Sequence, residues 1–203
     1  MKRRVPYVGD LSKTDAKVLA DIALASGRIL EFGVGGSTMI IAQAMPRDGF
    51  FISVDTDQRW IERTQSKLAV LKETVSPTFL VSHKPPAALI FDFIFVDGAD
   101  PFRLSFAMTA WPLLAPNGVI GFHDTRRQVD IDNVQALIRA NFEEVGDVLF
   151  NANDSNITLV RKRLKLARYE NWHDVEGKER WVSGYEETPA NWLELNPPTV
   201  EIS

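Results

Sequence analysis

The stretch from Arg28 to Thr38, RILEFGVGGST, constrains the fold of this chain more than any other. An apolar run reaches the acidic Glu31 and passes into a turn with three glycines within four positions, after which Ser37 and Thr38 precede a new apolar run. Glycine is needed where the backbone takes a positive φ or touches a ligand, and the first turn of a helix offers unpaired N–H groups. The stretch therefore predicts a strand, a tight turn and a helix, with a nucleotide-like ligand lying over the turn.

Two classes of cofactor are bound over turns of this kind, and the glycine spacing helps to separate them. The dinucleotide fingerprint G-x-G-x-x-G requires a third glycine three residues after the second, and position 38 is Thr instead. The chain also has no Tyr-x-x-x-Lys pair. An NAD(P)-dependent oxidoreductase is therefore kept only as an alternative.

The composition excludes several kinds of site. The chain of 203 residues has no Cys and three His, so any metal would be held mainly by oxygen. The formal net charge of −4 lies wholly in residues 164–203, which leaves no basic domain for nucleic acid. The sequence has neither a membrane-spanning apolar run nor a secretory signal. We therefore expect a cytoplasmic protein that binds neither nucleic acid nor membrane.

Apolar periodicity and turn residues predict an alternation of helices and strands. Ser12 and Asp15 have the spacing of a capping box at the start of the first helix. Helices are predicted over residues 12–26, 37–44, 57–71, 102–114 and 131–138, the fourth distorted by Pro112. Strands are predicted over residues 28–32, 50–54, 78–81, 91–96, 119–122, 145–150 and 157–160, the last two forming an antiparallel hairpin.

This order of elements predicts an α/β fold with a mostly parallel seven-stranded sheet, helices on both faces and an antiparallel terminal hairpin. The domain is predicted to span residues 1–163, followed by an acidic C-terminal arm over residues 164–203. The arm contains Trp172, Trp181 and Trp192, and tryptophans favour docking on the domain or on a second copy of the chain. A homodimer formed through this arm is one expectation.

Polar residues follow the predicted strands at their carboxyl ends, where ligands bind in open α/β sheets. They are Glu31, Asp55, Ser82-His83, Asp97 and His123-Asp124. Asp55 follows Gly35 by 20 residues, a position from which a carboxylate can accept both hydroxyls of a ribose. One acidic strand end is often only a helix cap, but several at one edge indicate a binding site.

Three segments in this order resemble the motifs of class I S-adenosylmethionine (SAM)-dependent methyltransferases. The run from Glu31 reads E-x-G-x-G-x-S, and FDFIFVDGAD resembles the fourth-strand segment D-x-I-F-x-D-G. LLAPNGVIGFHDT is similar to L-x-P-G-G-x-I-x-x-x-D, with Asn117 in place of the first glycine. The resemblance covers about residues 12 to 163 and is nearest to small-molecule O-methyltransferases of the catechol and caffeoyl-ester type.

The resemblance implies that SAM is the cofactor and that a methyl group passes to a small-molecule acceptor at a hydroxyl oxygen. A non-catalytic SAM-binding partner subunit is the alternative, because the acceptor-side residues depart from the family pattern.

The resemblance assigns to SAM a set of residues at the strand ends: Glu31, Gly33, Gly35, Ser37, Asp55, Ser82, His83 and Asp97. The first two glycines would lie under the methionine part of SAM. Glu31 would orient the turn or reach the amino group, and Asp55 would bind the ribose hydroxyls. Ser82 and His83 fall where the family contacts adenine.

The acceptor side has three interpretations, all centred on Asp97, His123 and Asp124. In the metal-dependent branch of the family, an Asp ending the fourth strand and an Asp-Asn pair ending the fifth hold a divalent cation. Asp97 and Asp124 would then be metal ligands, although His123 replaces the first residue of the pair and Mg²⁺ prefers oxygen. Alternatively, a neutral His123 oriented by either carboxylate could remove the acceptor proton. In the third interpretation, His123 is only hydrogen-bonded at a strand end.

Overall fold

Helices and strands alternate along the chain in the computed structural model, which describes Arg4–Val5, residues 11–71 and 74–163, and Glu201–Ile202. Helices α1 to α5 span Lys13–Ala25, Gly36–Ala44, Gln58–Leu68, Arg103–Ala110 and Gln128–Ala140. Strands β1 to β9 span Arg4–Val5, Arg28–Phe32, Phe50–Asp55, Thr78–Val81, Phe91–Val96, Leu114–Phe122, Val145–Leu149, Thr158–Lys162 and Glu201–Ile202.

Strands β2 to β8 form one seven-stranded sheet in the order β4-β3-β2-β5-β6-β8-β7. β8 runs antiparallel to both of its neighbours, β6 and β7, and the other pairings in this sheet are parallel. The predicted α/β fold, with its mostly parallel sheet and reversed terminal hairpin, is confirmed.

Two apolar cores cover the two faces of the sheet. One core joins the sheet to α1 and α2, and the other joins it to α4 and α5. In the central strand β5, Phe93 and Phe95 pack into the first core, while Ile94 and Val96 pack into the second. All four side chains are fully buried, as the apolar run FIFV over residues 93–96 predicts for a strand covered on both faces.

The ends of several elements differ from the prediction. α4 ends at Ala110, and Pro112 lies in a 3₁₀ turn over Trp111–Leu113, because proline cannot donate the next helical hydrogen bond. β6 begins at Leu114, well before the predicted start at residue 119. The turn residues Pro116 to Gly118 lie inside this strand, where its register with β5 shifts. These turn residues therefore produce an irregularity within β6 and do not mark the beginning of the strand.

A separate two-stranded sheet pairs Arg4–Val5 with Glu201–Ile202 in parallel. No prediction covered it, because strands of two residues carry no readable periodicity. The domain boundary after residue 163, the docking of the tryptophans and the homodimer depend on residues 164–200, which lie outside the described part of the chain. These stay predictions.

Within the described ranges, no helix has both the length and the apolar character of a membrane span. The cytoplasmic location is a prediction that this finding does not test.

Candidate active site

The carboxyl ends of the central strands are held side by side at one edge of the sheet. The N–H of Gly33 donates to β3, that of Asp97 to β2 and that of His123 to β5, over 2.8 to 3.1 Å. A cleft of about 720 Å³ opens above these ends. Its lining includes the glycine turn, Asp55 and the three residues Asp97, His123 and Asp124. The structure thus brings most of the sequence-predicted site residues into one cleft.

The two glycines of the predicted SAM turn have different structural roles. Gly33 has a φ of 102°, and a Cβ there would lie 2.6 Å from the backbone of Asp97 and Gly98. Gly35 has an extended φ of 177°, and a Cβ there would meet no atom of the described residues within 4 Å. The fold therefore requires Gly33, whereas Gly35 leaves open space in the cleft for a ligand.

Glu31 is fully buried beneath the glycine turn and is not part of the cleft lining. Its Oε2 accepts hydrogen bonds from the hydroxyls of Thr38 at 2.6 Å and Ser53 at 2.5 Å. Thr38 Oγ1 in turn accepts the N–H of Gly35 at 2.9 Å. Burial raises the pKa of Glu31 to about 7, although hydroxyl groups nearby oppose the shift. These contacts are those of a residue that orients the turn.

Asp55, at the end of β3, joins the glycine turn to the start of α3. Its Oδ2 accepts the N–H of Val34 and its Oδ1 accepts the N–H of Asp57, each at 2.8 Å. Each carboxylate oxygen has a second lone pair, so the group can still accept hydroxyl donors from the cleft. Asp55 is half-buried and is part of the lining, where a ribose would find it.

The two residues predicted to contact adenine lie elsewhere. Ser82 exchanges hydrogen bonds with the backbone of Lys84, at 2.9 and 3.0 Å. His83 is exposed and stands edge-on to the ring of Phe102, with 5.0 Å between ring centroids. Neither residue is part of the cleft lining. A contact with adenine stays a prediction for both.

His123 is surrounded by three carboxylates from three elements. Its Nδ1 lies 3.0 Å from Asp97 Oδ1 and 3.4 Å from Asp124 Oδ1, while its Nε2 lies 3.5 Å from Oδ2 of Asp15 in α1. The φ of Asp124 is 59°, a left-handed value that Asp tolerates better than most residues, and it belongs to the turn that follows β6. A second, smaller cavity of about 330 Å³ also touches His123, on the side of Asp15 and Asn156.

The charge state of His123 follows from these neighbours. Burial lowers the pKa of His123, but its contacts with Asp15 and Asp97 outweigh burial and raise the pKa to about 10. Burial raises the pKa of Asp15, but the ion pair with His123 and the hydrogen bond from the backbone N–H of Asn156 hold this pKa well below its usual range. His123 is therefore an imidazolium at neutral pH and has no free lone pair. This charge state differs from the neutral base of one of the three interpretations of His123. The reason is that Asp15 adds a carboxylate that the sequence analysis did not place beside the ring.

Arg103, in the first turn of α4, is a site residue that the sequence analysis missed. Its guanidinium side chain is only 6% exposed. All five N–H groups have acceptors nearby: Gly98 O at 2.8 Å, Asp130 Oδ1 at 2.9 Å, His123 O at 3.4 Å, Asp97 Oδ1 at 3.3 Å and Asp124 Oδ2 at 3.1 Å. One sequence signal could have found Arg103: it is a charged residue at helical spacing from the apolar positions of α4. Those positions, Phe106, Ala107 and Ala110, are buried, and Arg103 is buried with them.

Asp97, His123 and Asp124 have ligand atoms close enough to one another to hold a metal ion, all within 4.8 Å. Most of these ligand atoms are nevertheless engaged, although Oδ2 of Asp97 has no partner among the described residues. Asp124 accepts from Asn156 Nδ2 on Oδ1 and from Arg103 on Oδ2, each at 3.1 Å. Protonated His123 cannot ligate a cation, and Mg²⁺ requires several oxygen ligands in octahedral geometry. The predicted metal ligands Asp97 and Asp124 therefore do not fit a divalent cation in this arrangement.

α3 supplies a wall of the cleft that the sequence analysis treated only as a helix. Trp60, Arg63 and Lys67 stand at helical spacing on one face, and all three belong to the lining. The Arg63 guanidinium lies 5.4 Å from the centre of the Trp60 ring, within range of a cation–π contact. The sequence signal that could have found this wall is the spacing of the three residues, since positions i, i+3 and i+7 of a helix share one face.

Comparisons with known proteins give a family match for part of the chain and a set of solved structures with a similar fold. The model of a family described as "Methyltransferase domain" matches residues 30–125. Among curated proteins, no significant sequence match was found.

Many solved structures are similar to this chain. The O-methyltransferase TomG from Streptomyces achromogenes, in complex with SAM, is 20% identical; the match covers 76% of this chain and 82% of that one, with a TM-score of 0.58. An O-methyltransferase from Bacillus cereus in complex with SAH is 20% identical, with coverages of 78% and 84% and a TM-score of 0.58. A methyltransferase from Geobacter sulfurreducens is 15% identical, with coverages of 76% and 80% and a TM-score of 0.61.

The family match contains the glycine turn, Asp55, Asp97 and the His123-Asp124 pair, which are the residues that the fold gathers around the cleft. Residues 30–125 match the methyltransferase-domain model, and the chain has the fold of the solved methyltransferases to which it is similar.

Proposed function

We propose that this protein transfers a methyl group from SAM to a hydroxyl oxygen of a small-molecule acceptor. The observation that carries the proposal is the meeting, in one cleft, of a cofactor half and an acceptor half. The glycine turn and Asp55 form the first, and Asp97 with His123 forms the second. The solved structures of similar fold include O-methyltransferases in complex with SAM or SAH, which supports the choice of cofactor and acceptor atom.

The cofactor half offers contacts that suit SAM. Gly35 leaves space for the methionine part, and Asp55 offers carboxylate oxygens to the ribose hydroxyls. When bound, SAM supplies a methyl group on a positively charged sulfur, and the electron pair of the broken carbon–sulfur bond stays on sulfur. The chain itself has to hold the acceptor oxygen behind the methyl carbon and to exclude water.

Asp97 is the residue that we propose to take the acceptor proton. Its Oδ1 is fixed between His123 at 3.0 Å and Arg103 at 3.3 Å. Its Oδ2 has no hydrogen-bond or ion-pair partner among the residues that the structure describes, and Asp97 is part of the cleft lining. The new carbon–oxygen bond forms as the acceptor O–H proton passes to this oxygen. His123, as an imidazolium, and Asp124 position Asp97 and do not accept the proton.

The protein can be tested with methyl-labelled SAM and a panel of catechol, phenol and caffeoyl-ester acceptors. We expect label in the extracted acceptor, and we expect SAM and S-adenosylhomocysteine, but not NAD, to raise the melting temperature. A melting shift with NAD alone would contradict the proposal in favour of an oxidoreductase. A shift with SAM and no transfer to any acceptor would favour the non-catalytic partner subunit.

A further inference from the structure

We propose that Arg103 takes the place of the divalent cation used by the metal-dependent O-methyltransferases, so that this chain transfers methyl groups without a metal. The consequence for catalysis rests on the proposed function. The exclusion of the cation rests only on the arrangement of charges around Arg103 and can be tested without an acceptor.

The guanidinium of Arg103 lies between the two carboxylates at the ends of β5 and β6. Nη2 of Arg103 lies 3.3 Å from Asp97 Oδ1 and 3.1 Å from Asp124 Oδ2, so one nitrogen bridges the two carboxylates that end β5 and β6. In the metal-dependent pattern that the sequence resembles, the cation is held by the residues at these same two strand ends. The bridging nitrogen and a cation would therefore compete for the same oxygens.

Burial keeps the guanidinium in this position. The side chain of Asp130, in α5, is 1% exposed and accepts from Arg103 Nη1 at 2.9 Å. Asp130 also accepts from Nε of Arg127 at 2.7 Å, and Gly98 O accepts from Nε of Arg103 at 2.8 Å. If the arginine swung away, the buried carboxylate of Asp130 would lose one of its two cationic partners, which is strongly unfavourable. Arg103 is therefore a fixed charge and not a mobile surface side chain.

A cation would also find too few carboxylate oxygens at this place, because Oδ2 of Asp97 is the one oxygen of the two carboxylates with no partner among the described residues. Asp124 uses one oxygen for Arg103 and the other for Asn156 Nδ2, at 3.1 Å each. Oδ1 of Asp97 accepts from Arg103 and lies within hydrogen-bond distance of His123. An incoming ion would stand beside a guanidinium, which repels it at short range. The same guanidinium leaves Asp97 oriented, and we therefore assign Arg103 as a positioning residue for the transfer.

The experiment is a manganese(II) titration of the full chain at pH 8, followed by electron paramagnetic resonance. We expect the wild-type protein to show no site that depends on Asp97. Arg103→Met removes the competing charge while keeping much of the side-chain volume. We expect this variant to gain one manganese site whose affinity exceeds any manganese binding by wild type at least roughly tenfold. The double variant Arg103→Met/Asp97→Asn should lose that site again.

Arg139→Met is the matched control. Arg139 is exposed near the end of α5, so this variant removes one positive charge without touching the carboxylates of the cleft. We expect its manganese binding to equal that of wild type. An Arg103→Met protein that gains no site would overturn the claim that the guanidinium keeps the ion out.

Two further measurements keep the inference testable if Arg103→Met does not fold. Wild type and Asp97→Asn should bind manganese identically, and a site present in wild type but lost in Asp97→Asn would overturn the inference. Calorimetric titration with SAM on the same samples separates the two proposals. Absent SAM binding would count against the proposed function while the manganese result stands, and methyl transfer abolished by EDTA and restored by Mg²⁺ would count against this inference alone.

Discussion

Nδ1 of His123 lies 3.0 Å from Oδ1 of Asp97, while the other ring nitrogen faces Asp15 at 3.5 Å. An imidazole held at both nitrogens by carboxylates is stabilised as an imidazolium. As an imidazolium, His123 cannot accept the acceptor proton, so this role falls to Asp97. His123 is then not the neutral base of one interpretation of the sequence.

The first prediction concerns the protonation of His123. Because its pKa is raised to about 10, its ring should stay protonated from pH 6 to pH 8. Two-dimensional NMR of ¹⁵N-labelled protein should show both ring nitrogens in the imidazolium range throughout, with the resonance assigned by its loss in His123→Gln. A titration midpoint near the ordinary value of about 6.5 would contradict the charge state and restore the neutral base.

The second prediction is the pH dependence of stability. The folded-state pKa of His123 lies above the ordinary value of 6.5, so the folded protein holds this proton more tightly than the unfolded chain. The stabilisation is complete below pH 6.5 and is lost as the pH rises to about 10. We expect His123→Gln to unfold with a free energy lower by about 2–4 kcal/mol at pH 6 and to approach wild type near pH 10. Urea unfolding at both pH values measures this, and a constant difference would speak against it.

The third prediction separates the two glycines of the turn. Gly33→Ala places a Cβ 2.6 Å from the backbone of Asp97 at a positive φ, so it should lower the free energy of unfolding by more than about 1 kcal/mol. Gly35→Ala is the matched variant, because its Cβ meets no described atom within 4 Å. We expect Gly35→Ala to melt like wild type but to bind SAM more weakly. Equal melting temperatures of the two variants would show that the backbone at Gly33 has neither the positive φ nor the close contact with Asp97.

The fourth prediction concerns the chain of hydrogen bonds from Gly35 through Thr38 to Glu31. Thr38→Val keeps the side-chain shape but removes the hydroxyl, which leaves the buried Glu31 without one of its donors. We expect a loss of about 1–3 kcal/mol in the free energy of unfolding and weaker SAM binding. Thr109→Val is the control, since the exposed Thr109 hydroxyl donates only within its own helix. If both variants unfold alike, the chain of hydrogen bonds does not hold the turn.

The sequence predicted much of the fold because local signals agreed with it. Ser12 and Asp15 form the capping box expected from their spacing, at 3.1 Å in both directions. The apolar run of β5 and the glycine turn after β2 lie where their patterns placed them. The predicted start of β6 at residue 119 was wrong. Asn117 and Gly118 are typical turn residues, but they lie inside the strand, where its register with β5 shifts.

The site was only partly predictable, because its electrostatics depend on contacts between distant elements. Asp15 and His123 belong to α1 and the end of β6, and nothing in either segment indicates that their side chains meet. Likewise, Arg103 meets Asp97, Asp124 and Asp130 only after β5, β6 and α5 have assembled. Residue spacing found the carboxylates at the strand ends, but not the cations that neutralise them.

The proposed function depends on SAM binding by the glycine turn and Asp55. Isothermal titration calorimetry of SAM against wild type and Asp55→Ala tests it most directly, with circular dichroism melting to control for the lost hydrogen bonds to Val34 and Asp57. We predict one SAM site in the wild type and an affinity lowered at least about tenfold in a folded Asp55→Ala, as expected for the loss of bonds to a charged acceptor. His123→Ala should retain SAM binding. Unchanged SAM affinity in Asp55→Ala, or no SAM binding by the wild type, would show that this turn and this carboxylate are not the SAM site.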